Sequence, residues 1–481
     1  MTKAPRVSLI GLLALLCLTS RQLAAEEPSP SPHPGNPACQ GGGEWEQDFS
    51  RSEKQMEPHP SGWGDPLHLS LRDALVMAKT RHIDVIVGNE RTQQALERLG
   101  QAVSTLLPHI RASASETRQT RNLQASGITL PGRDPLVGPF NTFDARITLT
   151  QTLFDAGAIE RFRAARIGKA LSLAEYEQAR QDAMALVAAL YLDAQRAVQR
   201  LERAQALLTR DAERVRITHA QYHLGVTSSV ELEQAQATLS GSLHQWRAAY
   251  ADAVDRRLDL AAALGLSPRQ PIVFVTEELV ADAHLPSEDQ VLSTTSSHPQ
   301  VEVAQQLLRQ RKAERAAELA DALPRISANA DYGASGSTPD NSEGTYAFGA
   351  QVSLPVFEGG QRYFRTREAS SLVRESEARL KDVQQHLQAK ALQAIESVEQ
   401  AHVLVQAAQT DLAVAMKQLS LAHARRQSGV GSDLEVVEAS TNMALARDQH
   451  EDARATYQLA QVSLAHALGD VDAILETVQT P

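Results

Sequence analysis

Glu435 and Glu438 stand three residues apart, so on a helix they share one face. Two carboxylates on such a face attract cations and grip basic or polar groups, which is binding chemistry. Asp433 either adds charge beside them or serves as a plain turn residue. Glu435 has a second reading, because Ser432-x-x-Glu435 is a capping box that would satisfy the first N–H groups of a helix. Ser228-x-x-Glu231 repeats that box 204 residues earlier, whereas the counterpart of Glu438 is Gln234. His219 and His223 are spaced i, i+4, which can hold a metal ion, but the segment lacks the glutamate of a zinc-protease helix. They are read as helix residues near a turn, and no metal is assigned. Ser, His and Asp are plentiful, yet nothing resembles a nucleophile elbow or a phosphate loop. Neither an enzyme nor a cofactor is expected.

The elements that position these residues occur twice. One copy runs from Leu153-Phe154-Asp155-Ala156-Gly157 to Leu264-Gly265, the other from Val356-Phe357-Glu358-Gly359-Gly360 to Leu468-Gly469. The starts are 203 residues apart and the ends 204. The turn Gly225-Val226-Thr227-Ser228 falls opposite Gly429-Val430-Gly431-Ser432. Val187, Ala194, Leu201, Leu208, Val215 and Tyr222 lie seven apart, and so do Ala391, Val398, Val405, Leu412, Leu419 and Arg426. A sustained seven-residue spacing predicts long helices supercoiled against a neighbour. From Asp155 to Tyr222 is 68 residues; at the α-helical rise that is roughly 100 Å.

The chain divides around these repeats. Residues 1–25 read as a secretory signal peptide: Lys3 and Arg6, an apolar run from Val7 to Leu18, and Ala24-Ala25. Removing it takes Lys3, Arg6 and Arg21, moving the net charge from −11 to −14, which disfavours nucleic acid as a partner. Residues 26–66 are rich in Pro, Gly, Ser and Glu, as in a disordered arm, and hold Cys39, the one cysteine left after cleavage. Residues 67–266 form the first repeat, 267–297 an irregular equatorial linker, 298–470 the second repeat and 471–481 a mobile tail. Aromatics at 4% are sparse for a large enzyme core.

Each repeat opens with a helix. From Leu69 to Leu106 the apolar spacing is helical, with Ser70 as N-cap. His82-Ile83-Asp84-Val85 matches His298-Pro299-Gln300-Val301, and Leu107-Pro108 matches Leu323-Pro324, at an offset of 216. Each proline ends its helix, and the period then changes to two. The strands are His109–Thr120 with Thr142–Phe154, and Arg325–Ala334 with Tyr346–Phe357. Ala145, Ile147, Leu149 and Leu153 share an apolar face, and Phe348, Ala350, Val352 and Leu354 repeat it. Phe140, Phe143, Tyr332, Tyr346 and Phe357 suit either a membrane interface or simple sheet packing. Asp155 is a good N-cap for the first long helix and Glu358 a poorer one for the second.

No apolar run is long enough to span a bilayer as a helix, which leaves a closed barrel as the only spanning structure. Four strands are too few for one chain to close alone, since such barrels begin at about eight. If the strands enter a membrane, several chains share one barrel and the helices continue it as a cylinder.

The ordered set is helix, Leu-Pro, strand, loop, strand, Phe-Asp/Glu-x-Gly, long helix, turn, helix and Leu-Gly, all duplicated. It resembles the TolC-like outer membrane efflux protein family over residues 67–470. The resemblance implies an α+β, mostly α, fold. Three copies would form a homotrimer with a 12-stranded barrel in the outer membrane lipid of a Gram-negative bacterium. A 12-helix periplasmic tunnel would continue that barrel. It also implies a periplasmic adaptor (membrane fusion protein) and an inner membrane pump as partners, in efflux or type I secretion. An adaptor or structural coiled coil without channel activity is the alternative.

The same resemblance assigns acids six and nine residues after the second turn glycine to a constriction at the periplasmic tip. Counted from Gly429, these are Glu435 and Glu438, with Asp433 beside them, and three copies make two acidic rings. Tyr222 and Gly225 mark the first tip turn. The second has Arg426 where the family's aromatic stands, so Arg425 or Arg426 paired with an acid of a neighbouring helix replaces a tyrosine latch.

Overall fold

The computed structural model describes residues 65–128, 132, 134–275, 278–279 and 287–479. The signal segment, nearly all of the arm and Cys39 lie outside them. The chain opens with β1 (Leu67–Leu69), α1 (Leu71–Arg81) and α2 (Ile83–Ser104). Strands β2 (His109–Asn122) and β3 (Leu136–Phe154) lead into the hairpin of α3 (Ala156–His223) and α4 (Ser229–Ala263). Then come β4 (Ile272–Phe274), β5 (Glu278–Leu279), α5 (Glu288–Thr295) and α6 (Pro299–Ala320). Strands β6 (Arg325–Gly336) and β7 (Ser342–Ser353) lead into the second hairpin, α7 (Gln361–Gln427) and α8 (Asp433–Leu468). The chain closes with α9 (Asp472–Thr477) and β8 (Val478–Gln479).

The opening helix is broken where a continuous one was expected. Ser70 caps α1 by accepting the Asp73 N–H at 3.1 Å, but His82 is extended, with ψ 136°, and starts α2 afresh. Its Nδ1 accepts the Asp84 N–H, as the Nδ1 of His298 accepts the Gln300 N–H at 3.1 Å to start α6. Both histidines are buried. The matched His82 and His298 therefore mark two helix starts, and each helix brings a shorter one before it, α1 and α5.

That second short helix lies within 267–297, and α9 and β8 lie within 471–479. Strand β4 pairs in parallel with β1. Val471 and Ile474 are buried with Leu69, Leu75, Met184, Val187, Tyr191 and Leu264 in one apolar core at the waist. The Tyr191 hydroxyl lies 3.1 Å from the Leu69 carbonyl and 2.8 Å from that of Val275, tying β1 and β4 to α3. Asp472 pairs with Lys79 of α1 and, at 2.9 Å, with Arg180 of α3. Burial pushes the Asp472 carboxyl up, but hydrogen bonds and charge from Lys79 and Arg180 outweigh it and hold the group below the usual carboxylate range. Asp472→Ala leaves two cations facing each other and is expected to lower stability by about 1–3 kcal/mol in denaturant titration of the solubilised protein. No change would show that the tail is not coupled to the waist.

His298 is a second titratable joint. Its Nδ1 is an acceptor, so the proton sits on Nε2, which donates to the His466 carbonyl at 3.1 Å. His466 in turn donates to Asp182 at 2.7 Å. Burial lowers the affinity of His298 for a second proton. A histidine depressed on folding stabilises the fold fully above its ordinary value, about 6.5, and less as pH falls below it. His298→Asn keeps a capping side chain without the titration. It is expected to flatten the fall in melting temperature below about pH 6.5; an unaltered profile would assign that fall elsewhere.

The expected heptad column is buried through most of α3 but only at the start of that in α7, where Val405, Leu412 and Leu419 are half-buried and Arg426 is exposed. Val187, Ala194, Leu208 and Val215 are buried in α3, and Ala391 and Val398 in α7. A second column, Ala394, Ala401, Ala408, Ala415 and Ala422, is also buried and seven apart. Small side chains there let α7 and α8 approach closely. The 68-residue α3 starts at Asp155, which accepts the Ala158 N–H at 2.9 Å. Helix α7 starts two residues later than expected, at Gly360 (φ +84°), where Glu358 instead pairs with Arg362 at 2.9 Å.

Strands β2, β3, β6 and β7 form one antiparallel sheet in that order. Strands β2 and β3 run further than expected, because Arg121–Asn122 and Leu136–Asn141 continue the ladder. Ile110, Leu149, Ala330 and Phe348 lie in one row across the sheet, and Ala112, Ile147, Tyr332 and Tyr346 in the next. The large side chains of both rows are exposed. A bulge after Thr152 sets Phe154, not Leu153, opposite Ile326 on this face. The other face is polar, with Arg146 hydrogen-bonded to Asp144 at 2.7 Å and Asp331 at 3.2 Å.

Candidate functional site

The far ends of the two hairpins share one turn geometry. In the first, Gly225 (φ +70°) donates to the Tyr222 carbonyl and Val226 to that of Gln221. In the second, Gly429 (φ +77°) donates to the Arg426 carbonyl and Val430 to that of Arg425. A positive φ at this place suits glycine and closes the helix C-terminus. The turns then differ. Thr227 of the first bonds the Glu231 carboxylate. Gly431 stands in its place and donates to the Arg425 carbonyl at 2.9 Å, and a Cβ there would lie 3.0 Å from Arg425 backbone and side-chain atoms.

Asp433 opens α8; its side chain lies outside the described residues. Glu435 donates its backbone N–H to Ser432 at 3.2 Å, so Ser432 is the cap. Among the described residues the Glu435 carboxylate does not return that bond; it lies 3.9 Å from Arg425 across the turn. Glu438 is exposed one turn on, and Arg426 is exposed on the last turn of α7. Tyr222 is half-buried, edge-on to His223 with ring centroids 6.1 Å apart. The structure therefore gathers Arg425, Gly429 and Glu435 at one turn and leaves Tyr222 and Gly225 at the other. His219 and His223 meet edge to face at 4.5 Å, and among the described residues no third ligating group joins them.

Two features went unread in the sequence. Leu224, Val226 and Val230 on the first tip, and Val430, Leu434 and Val437 on the second, are exposed. Apolar residues bracketing a turn glycine were the available signal, and such patches mark contact surfaces. The second feature is a buried polar pair. Asp211 of α3 accepts from Ser242 of α4 and lies 2.9 Å from Arg210. The equivalent places in the second hairpin hold Ala415 and Ala446, both buried. Between the hairpins, α3 and α8 are joined by Arg196 and Arg200 to Asp452, at 2.8 and 3.3 Å, and by Arg203 to Asp448 at 3.1 Å.

The chain is thus a four-stranded sheet with one apolar exposed face, continued by two hairpins of very long helices whose tips carry both acids and exposed apolar side chains. The family model for outer membrane efflux proteins matches residues 74–266 and 293–470, and the chain belongs to that family. Its members are channel proteins and not enzymes. The solved structures agree in fold. The outer membrane channel CmeC of Campylobacter jejuni is 18% identical, with a TM-score of 0.70 over 88% of this chain and 95% of that one. The outer membrane protein VceC of Vibrio cholerae is 17% identical, with a TM-score of 0.66 over 83% and 96%. The MtrE outer membrane channel of Neisseria gonorrhoeae, in its open state, is 19% identical, with a TM-score of 0.66 over 83% and 89%. Comparison with curated proteins gives no match.

Proposed function

We propose that three copies of the chain form the exit duct of a tripartite efflux or secretion assembly. Twelve strands would close in the outer membrane, and twelve long helices would continue the bore through the periplasm. The exposed apolar face of the sheet carries this reading. Among the described residues the large side chains of its rows through Ile147 and Leu149 are exposed, and lipid is an environment in which such a face is stable. Among the described residues no helix is long and apolar enough to cross a membrane.

The tips supply the gate and the docking surface in this reading. Glu435 and Glu438 form acidic rings at the bore, with Arg425 holding Glu435 across its own turn. The exposed apolar residues around Gly225 and Gly429 suit the helical tips of a periplasmic adaptor, which would connect the duct to an inner membrane pump. The test is single-channel recording of the purified protein in planar bilayers, beside its fractionation. Heat-resistant oligomers in the outer membrane fraction and a small cation-selective conductance are expected. Folded protein that conducts nothing and stays in the periplasm would favour an adaptor or scaffold.

A further inference from the structure

The two strand hairpins of the sheet are one object present twice. His109 faces Thr150 in the first, and Arg325 faces Ser353 in the second. These pairs are related by the same offsets, 216 and 203 residues, that relate the two repeats in sequence. The match continues with Ile110 facing Leu149 and Ile326 facing Val352. The hairpins are joined to each other by β3 against β6, where Thr150 faces Asn329 and Leu149 faces Ala330. By the repeat, β7 corresponds to β3 and β2 to β6. Among the described residues, the outer edges of β7 and β2 have no partner strand.

We propose that β7 pairs with β2 of a second copy in the register that repeats the β3–β6 joint. Applying the two offsets puts Ser353 opposite Ser113 of the partner subunit. Val352 then faces Ala114 of the partner subunit, and Gln351 faces Ser115 of the partner subunit. This rests on the closed-barrel reading and adds to it the residue-by-residue seam between copies.

Three observations support this joint, the first and third of them its register. The first is the faces. A slip of one residue turns a whole strand over, whereas the proposed register sets Val352 opposite Ala114 of the partner subunit, on the face of β2 that also holds Ile110 and Ala112. The second is exposure at equivalent places. Leu149 is 37% exposed and its counterpart Val352 67%, while Thr148 is half-buried and its counterpart Gln351 exposed. The more exposed member of each pair is the one whose strand lacks its neighbour. The third is charge below the sheet. Within the chain, Arg325 reaches Asp155 at 3.6 Å and Asp321 at 2.8 Å. The repeated joint brings Glu358, the counterpart of Asp155, to His109 of the partner subunit, so a basic group again meets an acid.

The test is disulfide formation in outer membranes carrying the full chain with Cys39→Ser. The pair Ser113→Cys/Ser353→Cys is compared with Arg111→Cys/Ser353→Cys and Ser115→Cys/Ser353→Cys. A two-residue shift moves the partner about 7 Å along the strand, beyond disulfide reach. The 113/353 pair is expected to give at least about tenfold more covalent oligomer on denaturing gels without reductant than either shifted pair. A shifted pair that links best, with heat-resistant oligomers intact, would overturn the register and leave the barrel. Chain that stays monomeric and links at no pair, with the unsubstituted protein also monomeric, would overturn both.

Discussion

Gly333→Val is expected to abolish heat-resistant oligomers in the outer membrane fraction and leave the chain to degradation. Gly333 of β6 faces Arg146 of β3 in the joint between the two strand hairpins. A Cβ at this glycine would lie 2.3 Å from the Ala145 carbonyl oxygen and 2.6 Å from the Arg146 Cα. The obstacle is backbone, which cannot rotate aside as a side chain can. β6 must therefore separate from β3 around Ala145 to Thr148, and each unmade ladder bond costs about 1 kcal/mol, more where lipid leaves the groups without water. Gly349→Val is the control, because a Cβ there meets nothing within 4 Å. It should assemble normally. Normal oligomers from Gly333→Val would show that the β3–β6 joint does not exist in the membrane.

The double substitution Glu435→Ala/Glu438→Ala is expected to raise the conductance of the duct and cut its cation-to-anion permeability ratio about tenfold at low salt. Three copies lose six carboxylates from two rings in the proposed assembly. The helix start should survive, because Ser432 takes the backbone N–H of residue 435, which alanine retains. Salt separates field from shape. The screening length falls to about 3 Å at 1 M, so a difference in selectivity that is electrostatic vanishes there, while a wider bore still conducts more. Arg425 loses its acid across the turn in this variant. Unchanged selectivity at low salt would assign the two glutamates to an ordinary solvated helix face.

Much of the fold was legible because it is written in periods. Heptads such as Val187 to Val215 give the long helices, the alternation of Ala145, Ile147 and Leu149 gives a sheet with one apolar face, and the glycines Gly225 and Gly429 give the turns. Each signal acts over a few neighbouring residues, and the duplication let each be read twice. The repeat did not mark Glu435 and Glu438, since Gln234 stands opposite Glu438; only the family resemblance, counted from Gly429, pointed to them.

What the sequence by itself determined, then, is the long helices, the four sheet strands, the turns, their order and their duplication, all fixed by local spacing and backbone chemistry. The tertiary structure decided the rest. It breaks the first helix at His82, whose ring caps the next helix while buried. It assembles the waist from three distant pieces, Leu67–Leu69, Ile272–Phe274 and Val471 to Ile474, each too short to show a period. It sets β3 beside β6, turns Glu435 toward Arg425, and buries Asp211 against Ser242 where the other hairpin has alanines. These are contacts between residues far apart in the chain, and their energy depends on what surrounds them once packed. Residue type and spacing alone do not encode that.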